Sequence, residues 1–304
     1  MNVTLILFNR PGPTARVLAR VRDARPSTLL VICDGPRPHR PDDAGRVAAV
    51  RRLVDESIDW PCRVLRDYSE TNLGCMRRIQ TGLNWVFSQV EETIVLEDDC
   101  LPHPDFFTFA ASTLARYRDD PRVMNISGTN LIARRHRPRH ACWFSQHTWI
   151  WGWATWRRAW RHYDADYSTW DARLPALRAS FASAWERQYW ISTFDQARRN
   201  LQAANSWGFQ WNYTCRSLGG LTAMPRANLV ENLGFTADST HTDDLARLAR
   251  PTSALGPLSY PESHYTDPYA EDLWTRVYAG APTTPLANLK SRLRILRNPK
   301  PAVA

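Results

Sequence analysis

Short apolar runs alternate with helical patterns along the first hundred residues, and this alternation constrains the fold more than any other feature. Val3–Phe8 and Leu29–Cys33 are almost continuously apolar, which is typical of strands buried on both faces. A helical pattern that we predict to begin at Thr14 separates them. The alternation predicts an α/β fold whose mostly parallel sheet is flanked by helices on both faces.

The same pattern continues to the end of the first hundred residues. Cys62–Leu65 and Ile94–Leu96 are further strand candidates, and helical spacing covers 46–58 and 77–90 between them. The middle of the chain, about 143–215, is rich in tryptophan and arginine instead. We predict one domain over 1–280, with a nucleotide-binding half at about 1–130 and an acceptor half at about 131–280, followed by a basic tail at 281–304.

Charge and cysteine content restrict the partners and the compartment. The 304 residues carry a formal net charge of +9, which favours anionic partners, although solvated arginine faces are the alternative. The six cysteines form no close pairs, so we expect a reducing, cytoplasmic setting. We find no recognisable nucleic-acid-binding module and expect no nucleic-acid partner.

The strongest local signal is the run of three carboxylates Glu97-Asp98-Asp99, directly after a predicted buried strand. In open α/β sheets, ligands bind at the carboxyl ends of the strands. Three adjacent anions repel one another unless a cation or hydroxyl donors satisfy them. Mn²⁺ or Mg²⁺ would do so and could then bridge a diphosphate. The alternative is a solvated or arginine-paired acidic turn.

Polar and turn-forming residues follow the other three predicted strands, and we expect them to converge on the same sheet edge. Arg10 could pair with or stack on a nucleotide, Asp34 could accept the imide N–H of uracil, and Gly74 allows close backbone approach. Each residue also has a plain turn-forming explanation. The candidate donor-binding residues from these loops are Asn9, Arg10, Pro11, Asp34, Gly35, Asn72 and Gly74.

The order of these pieces resembles the GT-A glycosyltransferases, especially N-acetylglucosaminyltransferase I and similar bacterial proteins. The matching segments are LFNRP, VICDGP, NLGCMRRIQTGLNWVF and IVLEDDCLPHPDFF, followed by WIWGWATWRRAW, GGLTAMPRANLVENLGF and Thr-His-Thr at 240–242. The resemblance covers about four-fifths of the chain and implies a Rossmann-like GT-A fold. It implies that Asp99 binds the metal, that Glu97 and Asp98 contact ribose and sugar hydroxyls, and that His241 completes the metal shell. A surface histidine in a polar turn is the alternative for His241.

Tryptophans are dense between 149 and 160, and indole faces bind the C–H faces of sugars. Core packing is the alternative and explains most of the five tryptophans there. We assign Gly152 and Trp153 to the donor side, with Gly152 letting the backbone approach the donor. We assign Trp207 and Trp211 to acceptor binding.

One position departs from the family pattern. An inverting transferase needs a carboxylate to take the proton of the acceptor hydroxyl. The resemblance implies an acid in a Trp-Asp-x-x-Trp context, and this chain has Gly208 at that place. Asp195, upstream on a predicted helix, is our candidate base. A solvated helix acid is the alternative, and a different stereochemical course stays open.

Together these features predict a metal-dependent glycosyltransferase that moves a sugar from a nucleoside-diphosphate-sugar, UDP-type favoured, to a hydroxyl of a bacterial glycan or glycolipid. A nucleotidyltransferase is an alternative, but 9–13 is a poor substitute for its Gly-rich loop with Arg and Lys. A non-catalytic glycan- or nucleic-acid-binding protein is another. Leucines at helical spacing between 286 and 296 alternate with basic residues, so the tail could touch an anionic inner membrane and deliver the enzyme to a lipid-linked acceptor. Packing of that stripe on the protein's own core is the alternative.

Overall fold

The computed structural model describes residues 1–201, 206–234 and 248–283. Its central sheet has eight strands, most of them parallel, with helices on both faces. The predicted fold class is therefore confirmed. None of the described helices is long and apolar enough to cross a membrane.

The described strands divide between the central sheet and a two-stranded ribbon. In chain order they are β1 Asn2–Leu7, β2 Thr28–Cys33, β3 Arg63–Tyr68, β4 Glu92–Glu97, β5 Cys100–Pro102, β6 Val123–Ser127, β7 Cys142–Ser145, β8 Trp153–Trp156, β9 Leu221–Pro225 and β10 Val230–Asn232. The central sheet has the order β3-β2-β1-β4-β8-β6-β9-β7, and the ribbon pairs β10 with β5.

The described helices alternate with the strands in the first half and cluster in the second. They are α1 Pro11–Ala24, α2 Asp43–Ser57, α3 Cys75–Gln89, α4 Pro104–Arg116, α5 Arg157–Trp160, α6 Trp170–Ala179, α7 Ala184–Arg199, α8 Gly208–Ser217 and α9 Pro268–Ala279. Helix α1 begins at Pro11, three residues before the Thr14 start that the pattern predicted. Proline suits the first helical position because its missing N–H has no partner there. The Thr14 hydroxyl instead donates to the Arg10 carbonyl at 2.7 Å.

The strand directions place the carboxyl ends of most strands at the same edge of the sheet. β3, β2, β1 and β4 are parallel, β8 runs antiparallel between β4 and β6, and β9 is parallel to β6. The carboxyl ends of β1, β2, β3, β4, β6 and β9 therefore lie on one edge, which we call the carboxyl edge. β7 is antiparallel to β9, so it begins at this edge.

Two apolar clusters cover the two faces of the sheet. Alternate residues of β1 and β2 pack with α1, α2 and α4 on one face, and the intervening residues pack with α3, α5 and α8 on the other. This is the two-sided burial that near-continuous apolar strands predict. Further clusters built from α6 to α9 pack aromatic residues of the second half.

Candidate functional site

The three consecutive carboxylates lie where β4 leaves the sheet. Glu97 is the last residue of β4, and Asp98 and Asp99 form the turn into β5. The Asp98 amide donates to the Ile6 carbonyl of β1 at 3.0 Å, which holds the turn against the neighbouring strand. Asp98 is only 3% exposed, whereas Glu97 and Asp99 are partly exposed. The sheet thus presents a strongly acidic corner at its carboxyl edge.

Arg10, the residue before α1, faces this corner and is its cationic partner among the described residues. Its guanidinium pairs with the Asp98 carboxylate and lies 2.9 Å from Asp99 Oδ2. Burial lowers the pKa of Arg10, but the two carboxylates outweigh burial and raise it. Arg10 therefore stays charged and compensates one of three neighbouring negative charges.

The remaining negative charge is costly in this corner. Burial raises the pKa of Glu97, and the charges of Asp99 and Asp98 raise it further. Burial also raises the pKa of Asp98, against the opposing effect of Arg10. Asp98 Oδ2 is buried and has no hydrogen-bond partner among the described residues. An added cation or a hydroxyl donor would satisfy that oxygen and relieve the repulsion.

Asp34 after β2 organises the neighbouring loop. Its carboxylate accepts hydrogen bonds from the amides of Gly35, Leu73 and Gly74, at 2.9 to 3.2 Å, and from Asn72 Nδ2 at 3.0 Å. These donors occupy the Asp34 oxygens that we predicted would accept the imide N–H of uracil. In this structure Asp34 shapes the loop between β3 and α3.

Two glycines are required by this loop. A Cβ on Gly35 would lie 2.5 Å from the Thr71 carbonyl carbon, so the chains cross too closely for any side chain. Gly74 precedes α3 with φ 77°, in the region that favours glycine. The sequence analysis assigned both glycines to donor binding. In the structure, Gly35 is required because two chain segments cross closely there, and Gly74 is required by the backbone conformation at the start of α3.

The loop reaches the acidic corner through Cys75. The pKa of the half-buried Cys75 thiol is raised to about 12, first by burial and then by the charges of Glu97 and Asp34. Tyr163 ties the same region to α8, since its hydroxyl donates to the Trp207 carbonyl at 3.2 Å. The amino end of α3 therefore borders the acidic corner.

Asn9 is held away from the corner by a residue that the sequence did not single out. Asn9 Nδ2 donates to Asp43 Oδ1 at 2.7 Å, and Arg37 Nε donates to Asp43 Oδ2 at 2.6 Å. The Arg37 hydrogen bond lowers the pKa of Asp43 to about 2, so it stays ionised. Arg37 also lies over the Phe8 ring at 5.2 Å. Asp43 thus joins the segment after β1, through Asn9, to the segment after β2, through Arg37.

The ribbon brings a later segment to the metal-binding candidate. The Leu233 amide donates to the Asp99 carbonyl at 2.8 Å. A Cβ on Gly234 would lie 2.2 Å from Asp99 Oδ2 and 3.1 Å from Arg10 Nη1. His241, seven residues further along the chain, lies outside the described residues, as does the tail from 284.

The tryptophan assignments are not supported by burial. Trp207 and Trp211 are 2% and 0% exposed and pack against the fully buried Trp153, with ring centroids 5.4 and 5.8 Å away. Buried indoles offer no face to an acceptor sugar, so these side chains belong to the core. Gly152, with φ 62°, makes its close approach to Val230, where a Cβ would stand 2.5 Å from a methyl group. The observed constraint at Gly152 is packing on β10.

Asp195 lies on α7, within reach of two arginines. Its carboxylate pairs with Arg198 and Arg199 at 2.9 Å each, and the Arg198 hydrogen bond lowers its pKa. A weaker base takes up a proton less readily, so this pairing opposes the predicted role. At the position where the resemblance implies an acid, Gly208 opens α8, and a Cβ there would meet Ile150 at 2.6 Å.

Gln210 is a polar residue that the sequence analysis overlooked. It is 2% exposed, its Nε2 lies 3.4 Å from Met76 Sδ, and its Oε1 has no hydrogen-bond partner among the described residues. Met76 follows Cys75 at the start of α3, so Gln210 contacts the amino end of α3. The signal in the sequence was a lone amide within the aromatic run 207–211.

A second acidic group lies apart from the carboxyl edge. The ligand atoms of His147, Glu186 and Glu271 are buried within 4.8 Å of one another, a geometry that could hold a metal ion. Arg216 Nη2 lies 2.9 Å from Glu186 Oε1 and Nη1 lies 3.9 Å from Glu271 Oε2. Because a guanidinium already supplies positive charge there, we interpret the group as a buried charge network joining α7, α8 and α9.

Comparison with known proteins identifies no family. No protein-family model matches the chain, and no curated protein matches it. Several solved structures match weakly. The apo structure of UDP-glucose pyrophosphorylase matches with a TM-score of 0.33 and 9% identity, over 53% of this chain and 79% of that chain.

Two further structures match at a similar level. UDP-glucose pyrophosphorylase complexed with UDP-glucose gives a TM-score of 0.29 and 10% identity, over 53% of this chain and 70% of that chain. The apo form of mouse xyloside xylosyltransferase 1 gives 0.35 and 11%, over 72% and 82%. Similarity this low decides nothing about activity.

Proposed function

We propose that the protein is a metal-dependent glycosyltransferase of the GT-A type. It moves a sugar from a nucleoside-diphosphate-sugar, UDP-type favoured, to a hydroxyl of a bacterial glycan or glycolipid, with inversion at the sugar. The observation that carries the proposal is the acidic corner at the carboxyl edge, where Glu97, Asp98 and Asp99 face only one cation, Arg10, among the ion pairs of the described residues. A divalent cation with a diphosphate fits that excess of negative charge.

The residues present fit a hard divalent ion. Carboxylate oxygens are the ligands that Mn²⁺ and Mg²⁺ prefer, and buried Asp98 Oδ2 lacks a partner in the described chain. Asp99 is our proposed metal ligand, and His241 is our proposed second ligand. When bound, the ion supplies neutralisation of the charge that develops on the leaving diphosphate.

The protein's own groups prepare the donor site. Arg10 is positioned by two carboxylates and would exchange part of this pairing for a phosphate oxygen, a ligand that suits a guanidinium fork. Glu97 and Asp98 are proposed to accept hydrogen bonds from ribose and sugar hydroxyls. The Asp34-centred loop would give the nucleotide a fixed wall, with Asn72 and Gly74 at its surface.

Proton removal from the acceptor needs a basic carboxylate. Asp195 is our proposed base, in spite of its two arginine partners and lowered pKa. Acceptor binding would have to displace those arginines to restore its basicity. The acid that the resemblance implies is replaced by Gly208, and this specific observation favours a second candidate, a glycan-binding protein without transferase activity.

A nucleotide-sugar screen tests the proposal. Thermal unfolding is measured with UDP-, GDP- and dTDP-sugars, each with and without Mn²⁺, because a bound ligand stabilises the folded state by mass action. We expect one nucleotide series to raise the melting temperature only when Mn²⁺ is present. Release of the nucleoside diphosphate is then measured with that donor. Binding without release would count against transferase activity, and no metal-dependent shift with any donor would contradict the transferase proposal and favour the glycan-binding candidate.

A further inference from the structure

A basic loop connects β6 to β7 outside the acidic corner. Residues 134–140 read Arg-Arg-His-Arg-Pro-Arg-His, and all four arginines are exposed. Arg135 donates a hydrogen bond to the Thr283 hydroxyl. No ion pair joins Arg134, Arg137 or Arg139 to a carboxylate in the part of the chain that the structure describes. Three guanidinium groups within six residues thus have no acidic partner there.

A cavity of about 250 Å³ lies against this loop. Arg139 and His140 line one side, and the segment carrying Tyr265 lines the other. The edge strand β7 forms the base, with Trp143 facing the cavity and Phe144 bridged to Thr266. The cavity therefore has one arginine, Arg139, in its lining beside aromatic side chains, and Arg134 and Arg137 lie on the same loop outside that lining.

Asp267, the carboxylate in the lining of this pocket, already has partners within the protein. Asp267 Oδ1 accepts the Tyr269 amide at 2.9 Å as the cap of α9, and Oδ2 lies 3.8 Å from His136 Nδ1. Tyr265 is 67% exposed, unusually high for a large aromatic side chain in this protein. An exposed aromatic ring beside arginines is a surface that suits an amphipathic anion.

The sheet topology sets the distance from the acidic corner. The loop leaves the carboxyl end of β6 and enters β7 at Cys142, so it lies on the same carboxyl edge as Asp99. β7 is four strands from β4 in the order β4-β8-β6-β9-β7. At about 4.8 Å per strand, the pocket is roughly 19 Å from the corner, on the side away from β1 to β3.

We propose that the pocket beside residues 134–140 binds a phosphate group of the acceptor. Arginine forks donate paired hydrogen bonds to phosphate oxygens. This inference rests on the proposed function, because it places the acceptor's phosphate roughly 19 Å from the site of transfer. The phosphate belongs to a lipid headgroup or to a soluble phosphorylated acceptor, and the two sources share the same chemistry.

The test uses the full chain and two probes. Co-sedimentation is measured with vesicles of phosphatidylcholine that contain phosphatidylglycerol, and binding of inorganic pyrophosphate is measured by calorimetry. The variant Arg134→Gln/Arg137→Gln/Arg139→Gln should weaken binding of the relevant probe about a hundredfold, at roughly fivefold for each basic residue. The matched control is Arg16→Gln/Arg52→Gln/Arg63→Gln, which removes three exposed arginines elsewhere and the same net charge.

The outcomes separate the sources of phosphate. Vesicle binding that depends on the loop, and that pyrophosphate reduces more than sodium chloride of equal ionic strength, supports a lipid phosphate. Loop-dependent pyrophosphate binding without vesicle binding supports a soluble phosphorylated acceptor. Equal loss in the control variant, or no loss in the loop variant, overturns the proposal. Neither probe binding the unaltered protein overturns it as well.

A separate measurement, donor hydrolysis, tests the proposed function. Donor hydrolysis by the unaltered protein with Mn²⁺ involves no acceptor phosphate. Absent hydrolysis alongside loop-dependent phosphate binding would count against transferase activity and leave the pocket standing. Hydrolysis without loop-dependent binding would do the reverse.

Discussion

Gly234 stands directly against the carboxylate of Asp99, although 135 positions separate them. A Cβ at position 234 would lie 2.2 Å from Asp99 Oδ2, closer than real side-chain contacts allow. The ribbon of β10 and β5 makes this approach possible, because it carries residues 230–232 alongside 100–102. The space beside the Asp99 carboxylate therefore has room only for a glycine at position 234.

The first prediction follows from that contact. Gly234→Ala should weaken Mn²⁺-dependent nucleotide binding by about tenfold or more, since overpacking costs about 1–3 kcal/mol and here displaces Asp99 or Arg10. Isothermal titration with the donor nucleotide measures the change. Gly45→Ala is the control, because nothing lies within 4 Å of a Cβ there. Unchanged affinity of Gly234→Ala would show that Asp99 is not part of the site.

The second prediction concerns Asp99 itself. Asp99→Ala should abolish Mn²⁺-dependent nucleotide binding while the far-ultraviolet circular dichroism stays that of the parent, because the side chain is a partly exposed ligand candidate and not a core residue. Asp59→Ala, which removes an exposed partner of Arg22, is the control. The assignment is wrong if Asp99→Ala binds a nucleoside diphosphate as tightly as the parent does.

The third prediction concerns the proposed base. Asp195→Asn should lower kcat by about 10²–10⁴-fold with little change in donor affinity, the usual size of a general-base effect. Single-turnover kinetics with donor and acceptor measure it. Asp171→Asn, an exposed acid in the first turn of α6, is the control. Near-normal turnover by Asp195→Asn would remove this residue from the mechanism.

The fourth prediction concerns the buried network around Arg216. Burial raises the pKa of Glu271 from 4.5 to about 7. Between these values the folded state holds a proton that the unfolded state has released, so this group makes the protein less stable as pH rises. Glu271→Gln should escape that loss and gain stability relative to the parent from pH 4.5 to 7, by an amount on the order of 1–3 kcal/mol.

Urea unfolding at several pH values measures this difference. Burial also lowers the pKa of His147, whose Nε2 lies 3.7 Å from Glu271 Oε2 in the parent. Glu262→Gln is the control, since Glu262 is exposed. Parallel stability curves for Glu271→Gln and the parent would mean that Glu271 is ionised throughout, held by Arg216.

Local periodicity was sufficient to predict the layers of this fold. Runs such as Leu29–Cys33 are apolar at every position, and only a strand covered on both faces can bury them all. The position of Glu97 to Asp99 at the end of β4 follows from the same pattern. Because neighbouring residues alone determine these features, the sequence was enough to place the acidic corner at the carboxyl edge.

Contacts between distant segments could not be predicted in this way. Trp207 and Trp211 have the composition of a sugar platform, yet the packing of α8 on the sheet buries both. Asp34 had the chemistry to bind a nucleobase, but the loop after β3 occupies its oxygens. Asp43 and Gln210 gained their places only through partners 34 and 134 positions away.

Periodicity along the chain is enough to predict an alternating α/β fold with three carboxylates at the end of a buried strand. The tertiary structure decided what meets those carboxylates: Arg10 from the adjacent strand, Gly234 from the ribbon, and the loop held by Asp34. The physical reason is that strand and helix periodicity is a property of neighbouring residues. Which side chains are satisfied, buried or left without a partner depends on which distant segments the fold brings together, and a side chain's chemistry alone does not reveal that.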